Sequence, residues 1–158
     1  MPASRRMETV TIRPAVAADC PQMLELIREL ARYERQPDAV TVSMAEFVDA
    51  GFGSHPVWEA FVAECDGRIV GISLFYIRYS TWKGRRLYLE DIVVTESMRG
   101  RGIGTMLFDQ TLALCKTRGY HGMVWQVLDW NTPAIEFYEK YGASFDGEWL
   151  NASIETSQ

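Results

Sequence analysis

Cysteine is scarce in this chain of 158 residues. Cys20, Cys65 and Cys115 are odd in number and widely spaced, with no CxxC and no Cys/His pairing. That pattern excludes a disulfide framework and gives no metal site, so the three read as reduced core thiols and no metal is expected. Long apolar runs are missing as well: nothing approaches the length of a membrane span, and Met1 to Arg6 is not followed by the apolar core of a secretory leader. The expectation is a cytoplasmic protein with no membrane partner. Excess positive charge is also absent. Sixteen Lys and Arg stand against 21 Asp and Glu, for a net charge of -5 and a pI near 5.1, which argues against a general nucleic-acid or anionic-membrane surface. There is no internal repeat, linker or low-complexity block, and the length fits a single domain, 1–158.

What is present is an alternation of strand and helix patterns. Thr9 to Arg13 alternates β-branched and polar residues until Pro14, a first strand. Asp19 is placed to cap a helix in which Met23, Leu24, Ile27, Leu30 and Ala31 form an apolar stripe, ending near Tyr33-Glu34-Arg35. Ser43 with Glu46 three residues on has the form of a capping box, so a short second helix should follow. Three strand-like runs come next, 57–64, 69–79 and 87–94, the first two joined by an Asp66-Gly67 hairpin turn and the last two by a polar link, 80–86. They make an antiparallel meander. A helix with Ile103, Leu107, Thr111 and Leu114 or Cys115 inward should run to Gly119, followed by a strand at 123–128, a helix at 133–141 closed by Gly142, and a last strand near 144–150. The run 87–94, the long helix and the strand at 123–128 form a βαβ unit with a right-handed crossover.

Between that strand and helix lies Met98-Arg99-Gly100-Arg101-Gly102-Ile103-Gly104. A glycine-rich turn feeding a helix N-terminus leaves backbone N–H groups unpaired at the positive end of the helix dipole, which suits a phosphate. Arg99 and Arg101 add cationic donors. A Walker loop would need Gly-Lys-Ser/Thr, but Gly104 is followed directly by Thr105. A Rossmann turn would need GxGxxG, and its third glycine position is Leu107 counted from Gly102 or Thr105 counted from Gly100, so neither register fits. Arg-x-x-Gly-x-Gly after a strand is what fits.

That pattern, in this order of elements, resembles the acyl-CoA-binding turn of the GNAT superfamily of N-acetyltransferases. Ile12-Arg13-Pro14-Ala15, Gly51-Phe52-Gly53, His55-Pro56, Tyr88-Leu89-Glu90-Asp91, the glycine turn and Asn131-x-Pro133-x-Ile135-x-Phe137-Tyr138 are similar to the spermidine/spermine (diamine) N-acetyltransferase family. The resemblance covers the chain to about residue 145. It implies an α/β (α+β) fold: a mixed, largely antiparallel central sheet with a βαβ acyl-CoA-binding unit and helices on both faces. It also implies acetyl-CoA as co-substrate and direct transfer to a primary amine in a ternary complex.

Under that resemblance, the backbone of Ile92, Val93 and Val94 would bond the pantetheine arm, and Arg99, Gly100, Arg101, Gly102, Ile103, Gly104 and Thr105 the pyrophosphate. Asn131 would touch the cofactor arm, or else only cap its helix. Tyr138 is the candidate general acid for the departing thiolate, although a tyrosine after Phe137 on an amphipathic helix is commonly packing. Glu90, with Asp91 as second possibility, is assigned the amine's proton. Strand alternation puts Glu90 with Tyr88, Ile92 and Val94, and Asp91 on the other face; the bland alternative is pairing with Arg85 or Arg86. Tyr33, Glu34, Val124, Trp125 and Gln126 are the implied amine contacts, though Tyr33 and Trp125 are equally typical of core packing. Trp82 is a further contact or a loop anchor, and His55 and His121 read as structural.

The chain departs from the polyamine enzymes it resembles in having Ser80 where they carry an acid, and Lys83 nearby. That favours a diamine or a lysine-like amino acid over spermine. A protein or peptide N-acetyltransferase and a non-catalytic CoA-binding module are the alternative functions. A homodimer is expected from the resemblance alone.

Overall fold

The computed structural model describes residues 9–156. Strands β1 (Val10–Pro14), β2 (Glu59–Cys65), β3 (Arg68–Ser80), β4 (Gly84–Val94) and β5 (Met123–Val124) form one sheet in that order. β1 to β4 are antiparallel neighbours, and β5 lies parallel to β4. The helices are α1 (Cys20–Tyr33), α2 (Met44–Phe52), α3 (Ile103–Thr117) and α4 (Thr132–Glu139). Two compact units divide the chain: one runs to Gln126 and holds the sheet with α1 to α3, and the other starts at Val127 and holds α4.

Local chemistry explains most of the first unit. Ser43 Oγ accepts the Glu46 N–H at 3.1 Å and starts α2. Asp66 and Gly67, at φ 51° and 74°, supply the left-handed pair that a tight hairpin requires. α1 and α2 cover one face of the sheet, where Met23, Leu24 and Phe47 pack with Val62, Ile72, Leu74 and Val93. α3 covers the other face. A Cβ at Gly71 would sit 3.0 Å from Leu107 Cδ1 and 3.1 Å from the Val93 carbonyl oxygen, tight contacts that glycine avoids where α3 meets the sheet. The contact is pinned by two fully buried hydroxyls. Thr111 Oγ1 donates to the Leu107 carbonyl at 2.8 Å, so Ser73 Oγ donates to Thr111 at 2.6 Å.

Several expectations are corrected. Asp19 precedes α1 but does not cap it. The two terminal guanidinium nitrogens of Arg13 donate to the Asp19 carboxylate at 2.8 and 3.0 Å and, with the Val16 N–H at 2.8 Å, hold its pKa below the usual range. The link 80–86 is mostly strand: β3 and β4 pair out to Ser80 and Gly84, and Ser80 Oγ accepts the N–H groups of Trp82 and Lys83 across the tip. β5 stops at Val124 instead of 128. No strand forms at 144–150, where Trp149 is 74% exposed and Leu150 93% exposed. A strand needs a hydrogen-bonded neighbour, and the sheet of the described residues consists of β1 to β5 without this segment.

Candidate functional site

The site begins with an irregularity in β4. Asp91 lies opposite Leu74 and Leu89 opposite Phe75, although Leu74 and Phe75 are adjacent while Leu89 and Asp91 are not. Glu90 is therefore the extra residue of a β-bulge, and the alternation of β4 changes phase there. Paired residues share a face, so Tyr88 (opposite Tyr76), Asp91 and Val93 turn towards α1, and Leu89, Ile92 and Val94 towards α3. The expected separation of Glu90 from Asp91, with Glu90 beside Ile92 and Val94, is overturned by that one residue.

Glu90 is exposed, not enclosed by apolar neighbours, and accepts the Tyr76 phenol at 2.9 Å. Tyr76 in turn stacks on Tyr88 with centroids 5.2 Å apart. Arg85 and Arg86 sit at the far end of β4, opposite Tyr79 and Arg78. The Asp91 carboxyl has no hydrogen-bond or ion-pair partner among the described residues. Burial first, then the charges of Glu90 and Glu34, push its pKa up to about 7. Glu34 follows the last residue of α1, and burial raises its carboxyl above the usual range too. Three carboxyls thus meet where α1 ends over the bulge.

Val124 pairs with Tyr88 and shares the α1 face. Trp125, one residue on, meets Phe108 of α3 edge-on at 5.5 Å, so it packs on the opposite side from Tyr88 and Asp91. Gln126 is exposed beyond the end of β5. Trp82 is 85% exposed at the hairpin tip, and His55 Nδ1 meets the Ser54 hydroxyl at 3.0 Å.

At the end of β4 the strand loses its parallel neighbour: pairing with β5 covers only Leu87–Met123 and Tyr88–Val124. Among the described residues, Leu89 to Val94 have no strand on that side, which leaves a peptide edge beside Ile92, Val93 and Val94. A single 3-10 turn (Glu96–Met98) leads to the glycine turn. Gly100 and Gly102 have φ 77° and 79°, while a Cβ at either would meet nothing within 4 Å; conformation, not space, demands glycine. The first N–H of α3 to bond is that of Met106, to the Gly102 carbonyl at 3.0 Å. The N–H groups of Ile103, Gly104 and Thr105 have no partner among the described residues, and α3 has no acid in its first turn. This is a cradle for an anionic group, and the residues present fit a pyrophosphate.

The flank of the turn is tied to α1. Arg99 Nε donates to the Val94 carbonyl at 3.0 Å, its guanidinium lies 5.4 Å over the Tyr33 ring, and it is 3.8 Å from Glu29. The Glu29 carboxylate also accepts the Thr95 hydroxyl at 3.0 Å and the Glu96 N–H at 2.9 Å. Sequence reasoning missed Glu29 and Tyr76. Glu29 reads as one more residue of the polar face of α1, and its only local signal is its place one turn before Tyr33.

In the second unit, Asn131 precedes α4 without a side-chain cap, while its carbonyl accepts the Ile135 N–H at 3.0 Å. Tyr138 is the buried side chain of α4, edge-on to Phe137 at 5.5 Å. No group of His, Cys, Asp and Glu suited to a metal occurs among the described residues, and no described helix is long and apolar enough to cross a membrane.

Comparison with known proteins agrees with this architecture. The profile of the Acetyltransferase (GNAT) family matches residues 20–143. A thialysine N-epsilon-acetyltransferase of Bos taurus is 41% identical over 87% of this chain and 85% of its own. A spermidine/spermine N(1)-acetyltransferase-like protein of Homo sapiens is 35% identical over 87% of this chain, though over only 21% of its own length. Among solved structures, an aminoglycoside N-acetyltransferase in complex with CoA superposes with a TM-score of 0.74 over 96% of this chain and 99% of its own, at 17% identity, a likeness of fold. The anion cradle at the end of β4, the mixed sheet and these relatives lead to one conclusion: the chain belongs to the GNAT acetyltransferase family, on its spermidine/spermine (diamine) N-acetyltransferase side, and is an N-acetyltransferase.

Proposed function

We propose that the enzyme uses acetyl-CoA to acetylate a primary amine of a small diamine, polyamine or lysine-like amino acid, by direct transfer in a ternary complex. The observation that carries this reading is that one strand holds the Asp91 carboxyl, unpartnered among the described residues, at its bulge and delivers the α3 amide cradle at its end. The cradle amides of Ile103, Gly104 and Thr105, with Arg99 and Arg101 beside Gly100 and Gly102, would hold the pyrophosphate. The open edge at Ile92, Val93 and Val94 would bond the pantetheine arm, with Asn131 as a further contact. The amine nitrogen forms its bond to the thioester carbonyl carbon as the carbon–sulfur bond breaks; the amine gives up one proton and the thiolate takes one.

An alkylammonium has a pKa near ~10.4, so it arrives charged and the cluster of Glu34, Glu90 and Asp91 attracts it. Asp91, raised to about 7, is a better match for the amine's proton than an ordinary carboxylate. Glu90, open to water, passes the proton on. Tyr138 is the proposed donor to the thiolate. A lysine-like substrate would lay its alkyl chain along Tyr33 and Val124 with Glu34 facing a second charge, in keeping with the name of the Bos taurus relative. Trp125 on the α3 face is not part of that channel in this account, and Gln126 at its margin is. The same reading includes a homodimer, a single catalytic domain over 1–158 and a cytoplasmic location, which suits three buried cysteines that form no disulfide among the described residues. Thiol release from acetyl-CoA over a panel of lysine analogues, diamines, spermidine and peptides tests it; silence on every amine would refute it.

A further inference from the structure

The turn that receives the anion is not held by its own residues alone. Thr95 precedes the 3-10 turn Glu96–Met98, yet its hydroxyl does not cap it. The hydroxyl instead donates to Glu29 Oε2 at 3.0 Å, and Glu29 Oε1 accepts the Glu96 N–H at 2.9 Å, the first unpaired amide of that turn. A carboxylate from a helix 67 residues away in sequence therefore performs the capping. It also stands 3.8 Å from Arg99 Nη2, whose Nε is bound to the Val94 carbonyl. One side chain fixes the end of β4, the 3-10 turn and the orientation of Arg99 together.

Electrostatics make this arrangement informative. A negative charge beside Arg99 opposes the binding of a phosphate at the same arginine, so a site built for anion affinity alone would not carry it. The hydrogen bonds must outweigh that repulsion through what they position. Glu29 also lies one helical turn before Tyr33, whose ring carries the Arg99 guanidinium at 5.4 Å. The segment of α1 that reaches the amine-facing carboxyls is thus the segment that clamps the turn.

Resting on the reading of this turn as the acetyl-CoA site, we infer that Glu29 is a positioning residue for acetyl-CoA: it caps the 96–98 turn and aims Arg99, so that its hydrogen bonds, not its charge, set affinity for the cofactor. Glu29→Ala removes both bonds and Glu29→Gln keeps an oxygen acceptor for the Glu96 N–H while discharging the site. The experiment measures KM for acetyl-CoA, KM for the amine and kcat for both variants, with CoA binding by calorimetry and melting temperature alongside. The expected result is a rise of about tenfold in KM for acetyl-CoA and in the CoA dissociation constant for Glu29→Ala, with amine KM and kcat each within about twofold. Glu29→Gln should bind CoA as tightly as the parent or more so. Unchanged CoA affinity in Glu29→Ala, or loss of affinity in Glu29→Gln equal to that in Glu29→Ala, would overturn the inference, as would equal losses in every parameter tracking a lower melting temperature. If the parent protein itself fails to bind CoA, the reading of the turn falls and the inference with it.

Discussion

Asp91 faces Leu74 across the β3–β4 ladder while its neighbour Glu90 has no register partner on β3. That single unmatched residue turns Asp91 out of strict alternation and onto the α1 face, where Glu34 ends the helix above it. A carboxyl that would otherwise have pointed at α3 joins an acidic cluster instead.

The first prediction concerns pH. Below about pH 4 Asp91 is protonated in folded and unfolded chains alike; between there and about 7 only the unfolded chain has released the proton. Stability should therefore fall as pH rises through that window, and Asp91→Asn should remove this part of the fall. In activity the sign reverses, because the ionised form attracts the amine. The parent's kcat/KM for the amine should rise through a limb near 7, and Glu34→Gln should move that limb to lower pH by removing a neighbouring negative charge. Parallel pH-rate profiles check both statements.

Tyr138→Phe should keep the fold, since the ring is buried on α4 beside Phe137 and only the hydroxyl is lost. A lost general acid costs about 100-fold or more in kcat. KM for acetyl-CoA should change little. Full activity in this variant would remove Tyr138 from the chemistry.

Gly102 and Gly104 should respond differently to alanine. Gly102 has φ 79°, where a Cβ costs about 1–2 kcal/mol. Gly104 is inside the first turn of α3, and its added Cβ would sit 3.9 Å from Val94 Cγ2, an ordinary contact. Calorimetry should show weaker CoA binding for Gly102→Ala by about tenfold and a smaller change for Gly104→Ala.

Tyr33 and Trp125 offer a matched pair of aromatic tests. Tyr33→Ala removes a 40%-exposed ring at the amine-facing end of α1 and should raise amine KM. Trp125→Ala removes a ring packed on Phe108 and should lower the melting temperature with little effect on amine KM. Thermal denaturation and steady-state kinetics on both variants separate packing from recognition.

Which features were legible in the sequence follows from how local their causes are. The glycine turn was readable because φ near 77–79° at Gly100 and Gly102 admits little else, and the order of residues decides what such a turn can hold. Ser43 and the Asp66-Gly67 hairpin are local in the same sense. The bulge left no mark in β4, because Glu90 becomes extra only against the register of β3. The 144–150 segment failed for the converse reason: its pattern is strand-like, but strands depend on neighbours. The role of Trp125 also followed from pairing, since Val124 fixes its face through Tyr88. Glu29 was invisible because its bonds to Thr95 and Glu96 join distant stretches of chain.

The most direct measurement of the central claim is a competition. The protein is incubated with acetyl-CoA and equimolar lysine analogue, short diamine, spermidine and a lysine-containing peptide, and the acetylated products are identified by mass spectrometry as they form. Acetyl transfer to the small amines is expected, with the lysine analogue or diamine acetylated first and the peptide left unmodified. Preferential acetylation of the peptide, or no acetylated product from any amine, would contradict it.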